Sequence, residues 1–148
     1  MSEEQGTFVP VGETEERMFG PTAMLLCGLT ADQQNLFSQT LGANGLGGIP
    51  LLCALRDDLG RTCMDLVTSG RPRGTTSDLP KAVVVSGLLE KELHAVMACY
   101  RKASLPRPLW AALTEHSQDW KLGALISELE AERQAVAKAL QEESSKQK

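Results

Sequence analysis

A chain of 148 residues with 42% hydrophobic and 23% charged residues has the make-up of one ordinary globular domain, long enough to bury a core without disulfide or metal staples. A formal charge of −4 and the lack of any basic stripe beyond Arg71-Pro72-Arg73 exclude a general nucleic-acid surface. The apolar runs fall short of the roughly 18–20 residues that span a bilayer, so no membrane insertion is expected.

Residues 1–17 carry Glu3, Glu4, Glu13, Glu15 and Glu16 among small and polar residues and are read as a flexible acidic tail, with no signal-peptide h-region. A single domain is expected over 18–142, with halves 22–68 and 80–142, a linker at 69–79 and a disordered tail at 143–148. The first strand, 22–29, contains the unbroken apolar run Ala23-Met24-Leu25-Leu26-Cys27, which implies cover on both faces of a sheet. Gly28 permits a turn, and Thr30 then caps a helix over 31–41. Gly42, Gly45, Gly47 and Gly48 end that helix, and 49–55 is a second strand whose Pro50 marks a sheet edge. A short helix over 59–67 follows, capped by Asp58.

The second half opens with Ala82-Val83-Val84-Val85, the strongest strand signal in the chain, and Gly87 turns it into a helix over 90–103. A strand over 107–113 again contains a proline, Pro108. Asp119 then caps a long amphipathic helix to about residue 140, with Leu122, Leu125, Ile126, Leu129, Val136 and Leu140 on one stripe.

The halves share a pattern. Ala23, Gly28 and Leu29 match Ala82, Gly87 and Leu88 at a spacing of 82 − 23 = 59, whereas Pro50, Leu51, Ala54 and Leu55 match Pro108, Leu109, Ala112 and Leu113 at 108 − 50 = 58. An internal repeat with one residue lost between helix and second strand is the implied arrangement. Two such units suggest an α+β, ferredoxin-like sandwich: a four-stranded antiparallel sheet in the order 4-1-3-2, from two βαβ(α) repeats. The apolar strands one and three would be central and the proline-bearing strands two and four would be edges. The long C-terminal helix is expected to cover the open face, its alternative being a second copy or another protein.

Few residues suggest chemistry. Cys27, Cys53, Cys63 and Cys99 lack metal-type spacing and read as buried free thiols, so neither metal nor cofactor is expected. The Gly28 and Gly87 turns lie where a helix start could hold an anion, although a permissive backbone turn explains them with less. Glu115 and His116 tempt one towards acid–base catalysis, but no nucleophile lies near them in sequence, and a hydrogen-bonded turn accounts for them. Trp110 and Trp120 flank this turn; they are expected to pack the last helix on the sheet, or to anchor a partner where exposed.

The segment from Pro108 to Glu132, PLWAALTEHSQDWKLGALISELEAE, preceded by AVVVSGLLEKEL, resembles an uncharacterised domain-of-unknown-function family of bacteria and of plant and algal plastids. The family's second half reads as a strand, a Thr-Glu-Thr/His-Asn turn, an Asp/Asn-Trp pair and a Leu-rich helix. The resemblance covers about 81–133, with Ser117 where the family has Asn. It implies an auxiliary role and a soluble intracellular setting, the plastid stroma included, with any transit peptide absent from this chain. The resulting expectation is a non-catalytic protein-interaction module, an assembly or regulatory factor of a larger complex. Its partner is another protein, with self-association left open, and the alternative is a small-molecule or anion-sensing regulatory domain.

Overall fold

A computed structural model describes residues 16–146, with side chains as far as residue 143, so most of the stretch read as an acidic tail lies outside the described residues. Five strands are present: β1 (Ala23–Cys27), β2 (Leu51–Ala54), β3 (Arg71–Pro72), β4 (Ala82–Ser86) and β5 (Leu109–Ala112). The helices are α1 (Ala31–Ala43), α2 (Cys63–Ser69), α3 (Glu90–Lys102) and α4 (Leu122–Lys146), with a single 3-10 turn at Arg56–Asp58.

β1 and β4 lie at the centre because every side chain they carry is apolar or small and can be buried on both faces. Met24, Leu26, Val83 and Val85 meet Phe37, Leu41, Val96 and Tyr100 of α1 and α3. Leu25, Cys27, Ala82 and Val84 meet Cys63, Leu66 and Val67 of α2 and Leu122, Leu125 and Ile126 of α4 on the opposite face. Each fully buried Leu or Val contributes about 1.5–3 kcal/mol relative to exposure. The long helix therefore covers the face that α1 and α3 leave open.

The sheet is mixed, in the order β3-β2-β1-β4-β5. β1 is parallel to β2, β4 is parallel to β5, and the two pairs join through an antiparallel β1–β4 ladder. This overturns the ferredoxin-like expectation of four antiparallel strands ordered 4-1-3-2. The expected fold needs the second and third strands joined by a hairpin of a few residues. Here residues 55–81 intervene, and they hold the 3-10 turn, α2 and β3. Each second strand stays beside the first strand of its own half.

Both prolines mark strand starts, and only the strand that follows Pro108 lies at a sheet edge. Pro50 and Pro108 each precede their strand by one residue, where a missing N–H costs little, and the Pro50 carbonyl accepts from the Met24 N–H at 2.9 Å. Moreover, β2 is not an edge. β3 forms an antiparallel pair along its outer side, so the stretch read only as a linker supplies the fifth strand.

The pairings of the two halves advance together. Met24 pairs with Leu51 and Val83 with Trp110, and 83 − 24 and 110 − 51 are both 59. α1 and α3 start and end at the same offset. No residue is lost between helix and strand; the matching Pro-Leu pairs sit one place apart in otherwise equivalent strands. Leu25 faces Val84 in the β1–β4 ladder, and Thr62 bridges Lys121 on the α2/α4 side, so both contacts join residues 59 apart.

The starts of α2 and α4 partner one another. The first two N–H groups of α2, at Cys63 and Met64, donate to the carbonyls of Trp120 (2.9 Å) and Gln118 (3.0 Å). Those of α4, at Leu122 and Gly123, donate to Arg61 (2.9 Å) and Leu59 (3.0 Å). Each such donor left buried and unpaired would cost about 1–3 kcal/mol. These exchanges replace the caps expected from Asp58 and Asp119. Thr62 caps α2, accepting from the Asp65 N–H at 3.1 Å. Asp58 is instead buried, accepting from the Leu55 N–H at 3.0 Å and facing Arg71 at 3.4 Å and Arg61 at 3.6 Å.

Candidate interaction surface

The two glycine turns are filled by the chain itself. Gly28 has φ +82°, its N–H donates to Ser77 Oγ at 2.9 Å, and a Cβ there would meet Lys81 Cα at 2.8 Å. The N–H of Ala31, first in α1, donates to Thr76 Oγ1 at 2.9 Å, and Thr30 and Gln33 close a capping box. Buried Gln34 ties the same loop down: its amide nitrogen donates to Leu29 and Thr75 carbonyls and its oxygen accepts from the Gly74 N–H. Gly87, with φ +67°, is covered in the same way by the segment leading into β1. Its N–H donates to the Phe19 carbonyl at 3.1 Å, and its carbonyl accepts from Arg17 and Thr22. Because β1 and β4 run antiparallel, the chain entering each strand crosses the turn that leaves the other.

The Thr114–Ser117 turn is held by its own side chains. Ser117 Oγ accepts from the Thr114 N–H at 3.1 Å, and Thr114 Oγ1 accepts from the Ser117 N–H at 3.0 Å. Glu115 and His116 between them are exposed, and the His116 ring meets Trp120 edge-on at 5.5 Å. Ser117 fills the place that Asp58 holds in the first half, since the Leu55 and Thr114 N–H groups they receive are also 59 apart.

The two tryptophans lie on opposite faces. Trp120 packs against the core under α2 and α4, as expected, and its carbonyl receives Cys63. Trp110 points to the α1/α3 side, where it ends a chain of edge-on rings: Phe37 to Tyr100 at 5.2 Å and Tyr100 to Trp110 at 5.4 Å. The Tyr100 hydroxyl, pushed up to about 12 by burial, donates to the Pro106 carbonyl at 2.6 Å.

Among the described residues, β5 is the last strand, and no strand pairs with its outer side. The N–H groups of Leu109 and Leu113 donate inward to Lys81 and Val85, so by alternation those of Trp110 and Ala112 point outward. The equivalent outward groups of β2 are covered: the Leu51 carbonyl accepts from the Arg73 N–H at 3.2 Å. The two halves differ most at this point. After α2 the chain turns into β3, whereas α4 continues to Lys146 and is exposed from residue 131 through residue 143.

Val136 and Leu140 on this length of helix are 60% and 61% exposed. With Leu129, Ala137 and Arg133 they form one wall of a groove of about 750 Å³, whose other wall is Arg107, Pro108, Leu109 and Trp110. A second hollow of about 450 Å³ opens on the other side of the same strand, between Trp110, Tyr100 and Met97 with Arg101 and Arg107 at its rim. Sequence periodicity identified Val136 and Leu140 as apolar but not as exposed. Nothing in local sequence told that β5 would lack the neighbour that β2 has.

Among the described residues, no group of three or more His, Cys, Asp or Glu is placed to hold a metal ion, and no helix is long and apolar enough to cross a membrane. All four thiols are buried and unpaired. Burial, with Cys63, Cys53 and Asp58 nearby, pushes the Cys27 thiol up to about 12, and burial pushes Cys63 up to about 11.

Fold and surface together define an α+β domain built from two parallel strand–helix–strand units, the first flanked by the short β3 and the second left without a neighbour on its outer side among the described residues. In its second unit a domain of unknown function (DUF3783) is found at residues 81–136, from the start of β4 to the exposed stretch of α4. No curated protein and no solved structure matches the chain.

Proposed function

We propose that this protein is a non-catalytic interaction module that receives a partner along the outer side of β5 and under the exposed half of α4. The observation that carries this reading is the coincidence of an uncovered strand edge with an exposed apolar helix stripe on one groove. An extended segment laid on β5 would gain the outward backbone groups of Trp110 and Ala112, with side chains entering the hollows on either face. An assembly or regulatory role in a larger complex, the plastid included, fits such a surface. The common offset of 59 supports descent of both halves from one copied unit. Anion or metabolite sensing at the Gly28 and Gly87 turns is not adopted, because the chain's own groups already occupy those turns.

The test is affinity capture from the native host with the intact chain and with a Val136→Glu/Leu140→Glu double variant. A protein, including a further copy of this one, should be retained by the intact chain and lost by the variant. Equal retention by both would place binding elsewhere and refute the reading.

A further inference from the structure

We infer that the partner received at this edge is a second copy of the chain, paired β5 to β5 about a two-fold axis through Ala111; this deepens the interaction reading and rests on it. A two-fold interface requires one patch to complement itself, and β5 does so in both backbone and side chains. Its outward residues are Trp110 and Ala112, one on each side of Ala111. In an antiparallel pair centred on Ala111, Trp110 of each copy faces Ala112 of the other, so outward N–H and C=O groups meet outward groups and exchange hydrogen bonds. The same register sets the largest side chain of the strand opposite a small, exposed one and brings the two Trp110 rings into diagonal contact. Leu109–Ala112 itself carries no charge and no proline, so the devices with which edges commonly prevent such pairing, here Arg107 and Pro108, stand only at its start and leave Trp110 and Ala112 open.

The helix adds a second self-complementary element. Leu129, Arg133, Val136 and Leu140 recur at intervals of four and three, the spacing of a helix–helix seam, and α4 overhangs the edge by about 20 Å beyond Glu130. Two-fold symmetry repeats this stripe on the second copy, so each α4 overhangs the paired strands from its own end, where its groove runs along Arg107 to Trp110. The charges around the groove are balanced in sign, with Arg107 and Arg133 near Glu130 and Glu132. A lining of mixed sign complements itself better than it complements a strongly acidic or basic partner.

Sedimentation equilibrium of the full chain tests this directly: the 16.0 kDa monomer should give way to a particle of twice that mass. Val136→Glu/Leu140→Glu, at positions already exposed, should keep the far-ultraviolet spectrum and weaken the dimer about 100-fold. Ala111→Cys should give an inter-chain disulfide under mild oxidation, because facing residues at a non-hydrogen-bonded antiparallel position stand about 4.5 Å apart at Cα. A dimer that neither change affects overturns the proposed interface. A chain monomeric to about 100 μM that still captures another protein through Val136 and Leu140 overturns the self-pairing and leaves the interaction reading standing. A monomer that captures nothing overturns both.

Discussion

Replacing glycine by alanine at four positions separates backbone strain from steric exclusion and tests whether the two turns are sealed. At Gly87 the left-handed backbone costs an L-residue about 1–2 kcal/mol, and the added Cβ meets backbone atoms of Pro21 and Thr22 at 2.7 Å. Gly28 combines φ +82° with Lys81 backbone atoms at 2.8 and 2.9 Å. Rigid backbone must move in both cases, which adds about 1–3 kcal/mol as overpacking. Gly28→Ala and Gly87→Ala should therefore each lose about 3 kcal/mol, or roughly 6–12 °C in Tm for a chain of this size. Gly45 has φ +79° but open space around it, so Gly45→Ala should lose only the strain, about 1–2 kcal/mol. Gly42 lies in the last turn of α1 at an ordinary helical angle with nothing within 4 Å, and Gly42→Ala should gain about 0.5 kcal/mol. Equilibrium urea unfolding at constant m-value reads all four. If Gly28→Ala and Gly87→Ala cost no more than Gly45→Ala, the turns are open and the argument against a ligand there fails.

Asp58→Ala should destabilise the fold by about 2–3 kcal/mol, since it strips the Leu55 N–H and the half-buried Arg71 of their buried acceptor; urea unfolding measures it. Hydrogen bonds from Arg61 and Ser69 hold the Asp65 carboxyl below its ordinary 3.8, and Arg56 does the same for Asp78. Depressed folded-state values mean the stabilisation is complete above about 4 and is lost as pH falls through the lower folded values. Asp65→Asn/Asp78→Asn should accordingly flatten the acid limb of the stability profile below pH 4, and an unchanged limb would exclude these pairs as its source. Ellman's reagent at pH 8 should modify none of the four buried thiols in the native protein and all four after unfolding, Cys27 and Cys63 being raised to about 12 and about 11. Rapid native labelling of Cys27 would show that the α2/α4 face opens.

The parts of the fold legible in the sequence were those set by local composition. AMLLC and AVVV are apolar at every position, so they had to be central whatever the order, and both strands are fully buried, the small Ser86 at the end of the second included. Thr30 and the 31–41 periodicity gave α1, and Gly28 and Gly87 are left-handed turns as their position implied. Strand partnership was not legible, because Pro50 and Pro108 signal only a missing donor and do not say whether that donor lies at a strand's start or along its edge. The content of 55–81 argued against a hairpin, yet β3 spans only Arg71–Pro72, too short and too polar to announce itself. The cluster of half-buried Arg61 and Arg71 around buried Asp58 joins residues that look like a solvated turn and a basic loop when read separately. As for the surface, Trp110 was identified as a candidate anchor, but the uncovered state of β5 depends on α4 continuing where α2 stops. That is a relation between two distant segments.

Amide hydrogen exchange of β5, followed residue by residue by NMR at low and high protein concentration, bears most directly on the claim that this edge is the working surface. The Ala111 N–H, directed into the β4 ladder, should be protected at every concentration, while Trp110 and Ala112 should exchange freely when dilute and slow by about 10-fold or more on concentration. Protection of Trp110 and Ala112 that matches Ala111 in dilute solution would contradict the claim of a bare edge, and protection that never rises on concentration would contradict the self-pairing.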